Sequence, residues 1–193
     1  MRYKKIEKYF KIFGWRKRQL RIASNIIKER KKSPILSNYQ LVKIIERSKK
    51  KDYKKKINLS TKTFQAIRIF VNKELTELIF GLSKATKFLK EGGKLVVISF
   101  HSLEDKIAKF FFINFSKNKS KGSRYYPEIP NDKFLFENYK NKIIVPDPKE
   151  IIENPASRSA KLRFAVRSKN NYFYPEELKN KFLNYINLES ENV

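Results

Sequence analysis

Apolar residues recur at helical spacing through the first third of the chain. In KRQLRIASNIIKERK, Leu20, Ala23, Ile26 and Ile27 stand among basic residues, which predicts an amphipathic helix that Ser33-Pro34 ends. A second helix is predicted from Ser37 through Leu41, Val42, Ile44 and Ile45, with S-N-Y-Q as a capping box. From Thr61 the stripe Phe64, Ile67, Val71, Leu75, Leu78, Leu82, Ala85 and Leu89 predicts one long helix, closed by a left-handed cap at Gly92-Gly93. KLVVISF, residues 94–100, is nearly all apolar, the pattern of a strand buried on both faces in a parallel α/β sheet. Helix, Gly-Gly, buried strand and polar cluster make half of a doubly wound unit, in which ligands bind beyond the carboxyl ends of the strands.

The polar cluster at that end holds Ser99, His101, Ser102, Glu104 and Asp105. Ser102 and Asp105 fit S-x-x-[DE], a capping box for a helix carrying Ile107, Phe110, Phe111 and Ile113, and Glu104 and Asp105 suit its positive end. Ser99 and His101, the chain's single histidine, have no such structural account and are candidate site residues. Residues 117–142 read as a polar, aromatic-rich surface excursion, and KIIVP (142–146) as a short strand stopped by Asp147-Pro148. Asn154-Pro155 forces a turn, after which Ser157, Arg158, Ser159 and Lys161 offer either phosphate and ribose contacts or merely solvated charge. In AKLRFAVR the alternation predicts an antiparallel strand with Leu162, Phe164 and Val166 inward and Lys161, Arg163, Ala165 and Arg167 outward. The tail from Pro175 predicts one amphipathic helix on Leu178, Phe182 and Ile186.

Charge changes this picture most. Across 193 residues, 45 Lys and Arg face 19 Asp and Glu, and the net charge of +26 points to a polyanionic partner, nucleic acid before anionic membrane. AT-rich coding accounts for part of the lysine content on the alternative reading. The basic helix brings Arg16, Lys17, Arg18 and Arg21 together, and KKKDYKKK (49–56) brings Lys49, Lys50, Lys51, Lys54, Lys55 and Lys56. That run is either a solvated loop or a phosphate-contacting arm with Tyr53 available for stacking. With no cysteine, disulfides, thiolate metal sites and a cysteine nucleophile are excluded. No signal peptide pattern opens the sequence and its apolar runs fall short of the ~20 residues a membrane span needs, so a cytoplasmic protein without a membrane partner is expected.

Three segments carry a resemblance. TKTFQAIRIFVNKEL (61–75), GGKLVVISFHSLEDKIAKFF (92–111) and ENPASRSAKLRFAVR (153–167) are similar, in order and spacing, to the signature blocks of the bacterial small-subunit ribosomal RNA methyltransferase H family, also called MraW. The helical segment from Phe13 to Leu41 resembles that family's helical insertion, so the likeness covers roughly residues 10–168. The resemblance implies a class I, Rossmann-like methyltransferase sheet, S-adenosyl-L-methionine as donor, and 16S ribosomal RNA of the small ribosomal subunit as partner. The product it implies is an N4-methylated cytidine in the decoding region. It further implies that Ser99, His101 and Ser102 face the catalytic cleft, with Arg158, Ser159 and Lys161 above it.

The departures are equally specific. Gly14, Gly81, Gly92, Gly93 and Gly122 are the only glycines and form no G-x-G loop, and the family's acidic ribose ligand and early Asp-containing strand have no counterpart. Gly14-Trp15-Arg16 stands where Gly-Glu-Glu is usual, and Asn58-Leu59 where His-Pro is usual. The expectation is therefore a carboxyl-terminal part of the methyltransferase, its first strands and cofactor-binding residues missing, that alone neither binds S-adenosyl-L-methionine nor turns over. Its divisions would be a basic helical insertion domain (1–58), the end of the α/β domain (59–168) and a helical tail (169–193). The chemistry calls for no metal: a cytosine amine, its lone pair delocalised into the ring, must have its N–H groups accepted and its nitrogen aimed while water is excluded. A catalytically inactive, basic RNA-binding remnant is the alternative. A generic DNA- or membrane-contacting protein is disfavoured by the three blocks, and a homodimer is one option for an oligomeric state the sequence leaves open.

Overall fold

The computed structural model describes residues 18–48, 59–117, 133–137 and 139–190, in two compact units, Met1–Lys73 and Glu74–Val193. In the first unit, α1 (Arg18–Lys32) buries Ile22, Ala23 and Ile26. Helix α2 (Asn38–Arg47) begins at the expected box: the Ser37 hydroxyl accepts from the Gln40 amide at 3.2 Å, and the Gln40 side chain accepts from Ser37 N at 3.2 Å. Asn25 Nδ2 donates to Ser48 Oγ at 2.8 Å, tying the end of α2 to α1. Helix α3 (Leu59–Asn72) buries Ala66, Ile69 and Phe70.

The long helix expected from residue 61 is two helices. Lys73 adopts a left-handed φ of 53°, a conformation no helix accommodates, so α3 ends there and α4 (Glu74–Phe88) starts afresh. The break changes the helical phase: Val71 and Ala85 of the predicted stripe are exposed, while Leu75, Ile79, Leu82 and Thr86 are buried. Gly92, at φ 74°, supplies the left-handed turn after α4 that the Gly-Gly pair led one to expect.

In the second unit, β1 (Lys94–Ser99) pairs antiparallel with β2 (Lys161–Val166), from Lys94 opposite Val166 to Ser99 opposite Lys161. Among the described residues the result is a mixed α/β unit around a small two-stranded sheet, antiparallel as the alternation of AKLRFAVR predicted. Among the described residues, one face of that sheet is covered. Helix α5 (Ser102–Asn114) packs beneath it through Ile107, Ala108, Phe111 and Phe112, with Phe136 and Tyr139 completing an aromatic core. Val96, Ile98 and Phe164 on the other face are 51%, 56% and 42% exposed, so KLVVIS is not buried on both sides.

The alternation of β2 is as predicted but its faces are reversed: Arg163, Ala165 and Arg167 are buried and Phe164 is outward. Period two fixes which residues share a face but not which face meets the core. Arg163 goes inside because polar groups meet it there: its Nη1 donates to Tyr139 Oη at 2.8 Å and to Asn141 Oδ1 at 3.1 Å, and its Nε and Nη2 donate to Asp105. The expected strand at 142–146 reduces to a single bridge of Ile144 with Leu162, and α6 (Pro148–Glu153), capped by Asp147, follows it. The predicted tail helix is split into α7 (Glu176–Lys181) and α8 (Leu183–Ser190), although Leu178, Phe182 and Ile186 are all buried as its spacing required. Among the described residues, no helix is long and apolar enough to cross a membrane.

Candidate functional site at the carboxyl end of β1

Between β1 and α5 the chain passes through two residues only, Phe100 and His101, and their geometry differs from the expected cap. His101, not Ser102, is the N-cap: its Nδ1 accepts from Glu104 N at 3.3 Å. Glu104 Oε2 in turn accepts from Phe100 N at 2.9 Å and His101 N at 3.3 Å, closing a capping box one residue earlier than S-x-x-D implied. Ser102 is an exposed first helical residue.

That shift releases Asp105. Its Oδ1 accepts from Arg163 Nε at 2.7 Å and its Oδ2 from Nη2 at 3.3 Å, with Lys161 Nζ 3.5 Å away. Burial opposes ionisation of Asp105, but the hydrogen bonds and charge of Arg163, with Lys161 behind them, outweigh it and hold the carboxyl below its ordinary range. Burial likewise opposes the Glu104 charge and is overcome by the His101 side chain, the Phe100 amide and then the His101 amide. Both groups are therefore anions at neutral pH.

Ser99 and His101 are brought together at the strand end. Ser99 is buried and its Oγ donates to the Lys161 carbonyl at 3.3 Å, which ties the cluster to β2. The His101 side chain is only 8% exposed, and its buried Nε2 lies 3.3 Å from Glu104 Oε1, the nearest acceptor. Glu74, the first residue of α4, adds a third group: single side-chain donor atoms of Glu74, His101 and Glu104 lie within 4.8 Å of one another. Sequence reasoning missed Glu74 because the uninterrupted stripe concealed the break before it. For Glu104 the sequence implies only a favourable place on the helix dipole.

The described basic candidates lie on several elements. Arg158 and Ser159 are exposed on the 3-10 turn Pro155–Ser159, and Lys161, opposite Ser99 in the sheet, is held by Asp105. Arg18 is the first residue of α1 and Arg21 is exposed on it. Arg16, Lys17, Lys49, Lys50, Lys51, Lys54, Lys55 and Lys56 lie outside the described residues.

Whether these residues fit S-adenosyl-L-methionine can be tested at the turn between β1 and α5. A cofactor held at a strand-to-helix turn needs open backbone amides and close approach. Here Glu104 occupies the amides of Phe100 and His101, and the described glycines sit within α4 (Gly81) or in the turn after it (Gly92 and Gly93). The Phe100 and His101 amides at this turn are therefore taken, and no glycine there allows close approach of the cofactor.

In comparison with known proteins, the profile of the MraW methylase family matches residues 1–168. Ribosomal RNA small subunit methyltransferase H of Agrobacterium fabrum is 41% identical over 167 residues, 85% of this chain and 49% of the relative. Its namesake in Afipia carboxidovorans is 42% identical over 159 residues, 82% of this chain and 47% of that one, and that of Caulobacter vibrioides 39% over 164, 84% and 53%. The chain belongs to the MraW methylase family. It spans about half the length of the curated relatives it matches.

Proposed function

We infer that this chain is the RNA-facing part of a ribosomal RNA methyltransferase that transfers a methyl group from S-adenosyl-L-methionine to the N4 amine of a cytidine in the 16S decoding region. The observation that carries the reading is the buried His101 and the anionic Glu104 at the carboxyl end of β1, in a chain whose relatives are named for small-subunit RNA methylation. S-adenosyl-L-methionine supplies an electrophilic methyl group, and polypeptide beyond these residues must hold it. What this chain contributes is placement. Carboxylate oxygens accept the amine's N–H hydrogens, the His101 ring orients the base, and the aromatic core beneath α5 keeps the strand end rigid. Ser99 acts by fixing the strand end through Lys161 rather than by touching the base. Arg158 and Ser159 meet backbone phosphate or ribose, since both are exposed beside the strand end.

A non-catalytic, basic RNA-binding chain is the second reading, favoured by the amides at the β1–α5 turn being already occupied and by the net charge of +26. Co-expression with the amino-terminal half of the Agrobacterium fabrum relative decides between them. Methyl incorporation into small-subunit RNA, lost on His101→Ala, supports the enzyme. RNA binding with no incorporation in the stable assembled pair supports the second reading.

A further inference from the structure

We propose that the tail helices α7 and α8 form a strap that clamps α4 to α5, with Glu189 as the residue that positions Glu74 at the β1–α5 turn. The inference rests on the RNA-methylating reading above for what that turn does, and adds an element that reading does not use. The start of α4 shows why a strap is needed. The first-turn amides of a helix have no partner within it, and Lys73, just before α4, has a side chain without an acceptor and a left-handed φ of 53°. The acceptor comes from 113 residues away: Glu189 Oε2 takes a hydrogen bond from Thr76 N at 2.8 Å and another from the Thr76 hydroxyl, with the Leu75 amide as a further donor. Leu75 and Thr76 are the second and third residues of α4, whose amides an N-cap side chain ordinarily serves. The tail supplies that cap, with Glu189 only 1% exposed.

The other end of the strap is apolar. Phe182, between α7 and α8, packs edge-on against Phe110 of α5 with ring centroids 5.4 Å apart, and Leu178, Ile186 and Leu188 are buried with it. The tail therefore holds both helices whose amino-terminal ends meet at the β1–α5 turn. Helix α4 begins at Glu74 and α5 is capped by His101 and Glu104, and one donor atom of each of these residues lies within 4.8 Å of the others. Deleting the Glu189 carboxyl leaves the Leu75 and Thr76 amides buried without their acceptor, so the first turn of α4 must fray to reach water. Glu74, as the first residue of that turn, moves with it. The family profile ends at residue 168, so the whole strap lies beyond it.

Because His101 is the only histidine, the intact chain labelled with nitrogen-15 reports the β1–α5 turn through a single imidazole, while the Thr76 amide reports the strap. Glu189→Ala should make the Thr76 amide exchange with solvent about tenfold faster or more, and should shift the ring nitrogens of His101. Glu189→Gln, whose carboxamide oxygen can still accept from Thr76 N, should return both signals toward wild type. In the chain assembled with the amino-terminal half of the Agrobacterium fabrum relative, Glu189→Ala should lower kcat about tenfold with KM for small-subunit RNA unchanged, and Glu189→Gln should recover the rate. If Glu189→Ala does not fold, Thr76→Val, which deletes the hydroxyl donor and keeps the amide, should shift His101 in its place. A freed Thr76 amide with His101 unmoved overturns the proposal and leaves Glu189 a cap alone; so does no rescue by glutamine, or an unchanged kcat in an active pair. The spectra need no methyl donor. A His101 shift that glutamine reverses, in a chain whose assembled pair transfers no methyl group, upholds the strap and discards the methylation reading alone.

Discussion

Arg163 is 2% exposed and would be an expensive charge to bury were it not held on both sides, by Asp105 through two hydrogen bonds and by Tyr139 and Asn141 through Nη1. Removing it leaves Asp105 and the Tyr139 hydroxyl facing a vacated space, so Arg163→Leu should cost about 3–5 kcal/mol, read as a fall in the urea midpoint. Asp105 has a folded-state pKa below its ordinary value of 3.8, so its stabilisation is full above that value and lost as pH falls through the folded one. Asp105→Asn should therefore flatten the acid limb of a stability–pH profile. Glu189 works in the opposite sense. Buried at the start of α4, it accepts from Thr76 N at 2.8 Å, yet burial, with the nearby Glu74 charge, outweighs its hydrogen bonds and raises its pKa above the ordinary 4.5. Stability should fall as pH rises from that value through the raised one, and Glu189→Gln should abolish this decline in the same titration. None of these partnerships was legible in the sequence, because an arginine in an alternating strand carries no mark of which face is inward.

At the scale of elements, the box before α2 could be read directly because Ser37 and Gln40 are the residue types such a box uses. The box before α5 was misplaced by one residue, since histidine is not among the usual N-cap residues and Ser102 with Asp105 fits the same pattern. Substitution separates the two readings. His101→Ala should destabilise by about 1 kcal/mol and His101→Asn much less, since asparagine caps well, while Ser102→Ala should change stability by only a few tenths. Thermal unfolding of the three variants checks this, and a larger loss in Ser102→Ala would restore the serine cap. The existence of β1 and β2, the alternation of β2 and the Gly92 turn were likewise visible in the sequence, whereas the strand expected at 142–146 is a single bridge. The Lys73 break and the open sheet face were not, for a lysine at positive φ has no local signature and a run such as KLVVIS looks alike whether one face or two are covered.

For the molecule as a whole, charge and exposed apolar surface make separate demands. On the proposed RNA-facing role, the net charge of +26 provides the sequence-independent attraction, and replacing Lys49, Lys50, Lys51, Lys54, Lys55 and Lys56 by glutamine should flatten the salt dependence of RNA binding. An unchanged slope would mean that this run contacts no phosphate. The exposed Val96, Ile98 and Phe164 share one sheet face, and β1 among the described residues pairs on one side only, so face and edge together favour association with further polypeptide. An amino-terminal half from a relative should cover it and raise the soluble yield. The most direct test is the nucleoside made by that assembled pair. Small-subunit RNA treated with it and S-adenosyl-L-methionine, digested and examined by mass spectrometry, should contain N4-methylcytidine at a single decoding-region position. His101→Asn, which preserves the cap, should lower the yield at least tenfold. A full yield from that variant, or methylation at another atom, would contradict the account of the cluster at the end of β1.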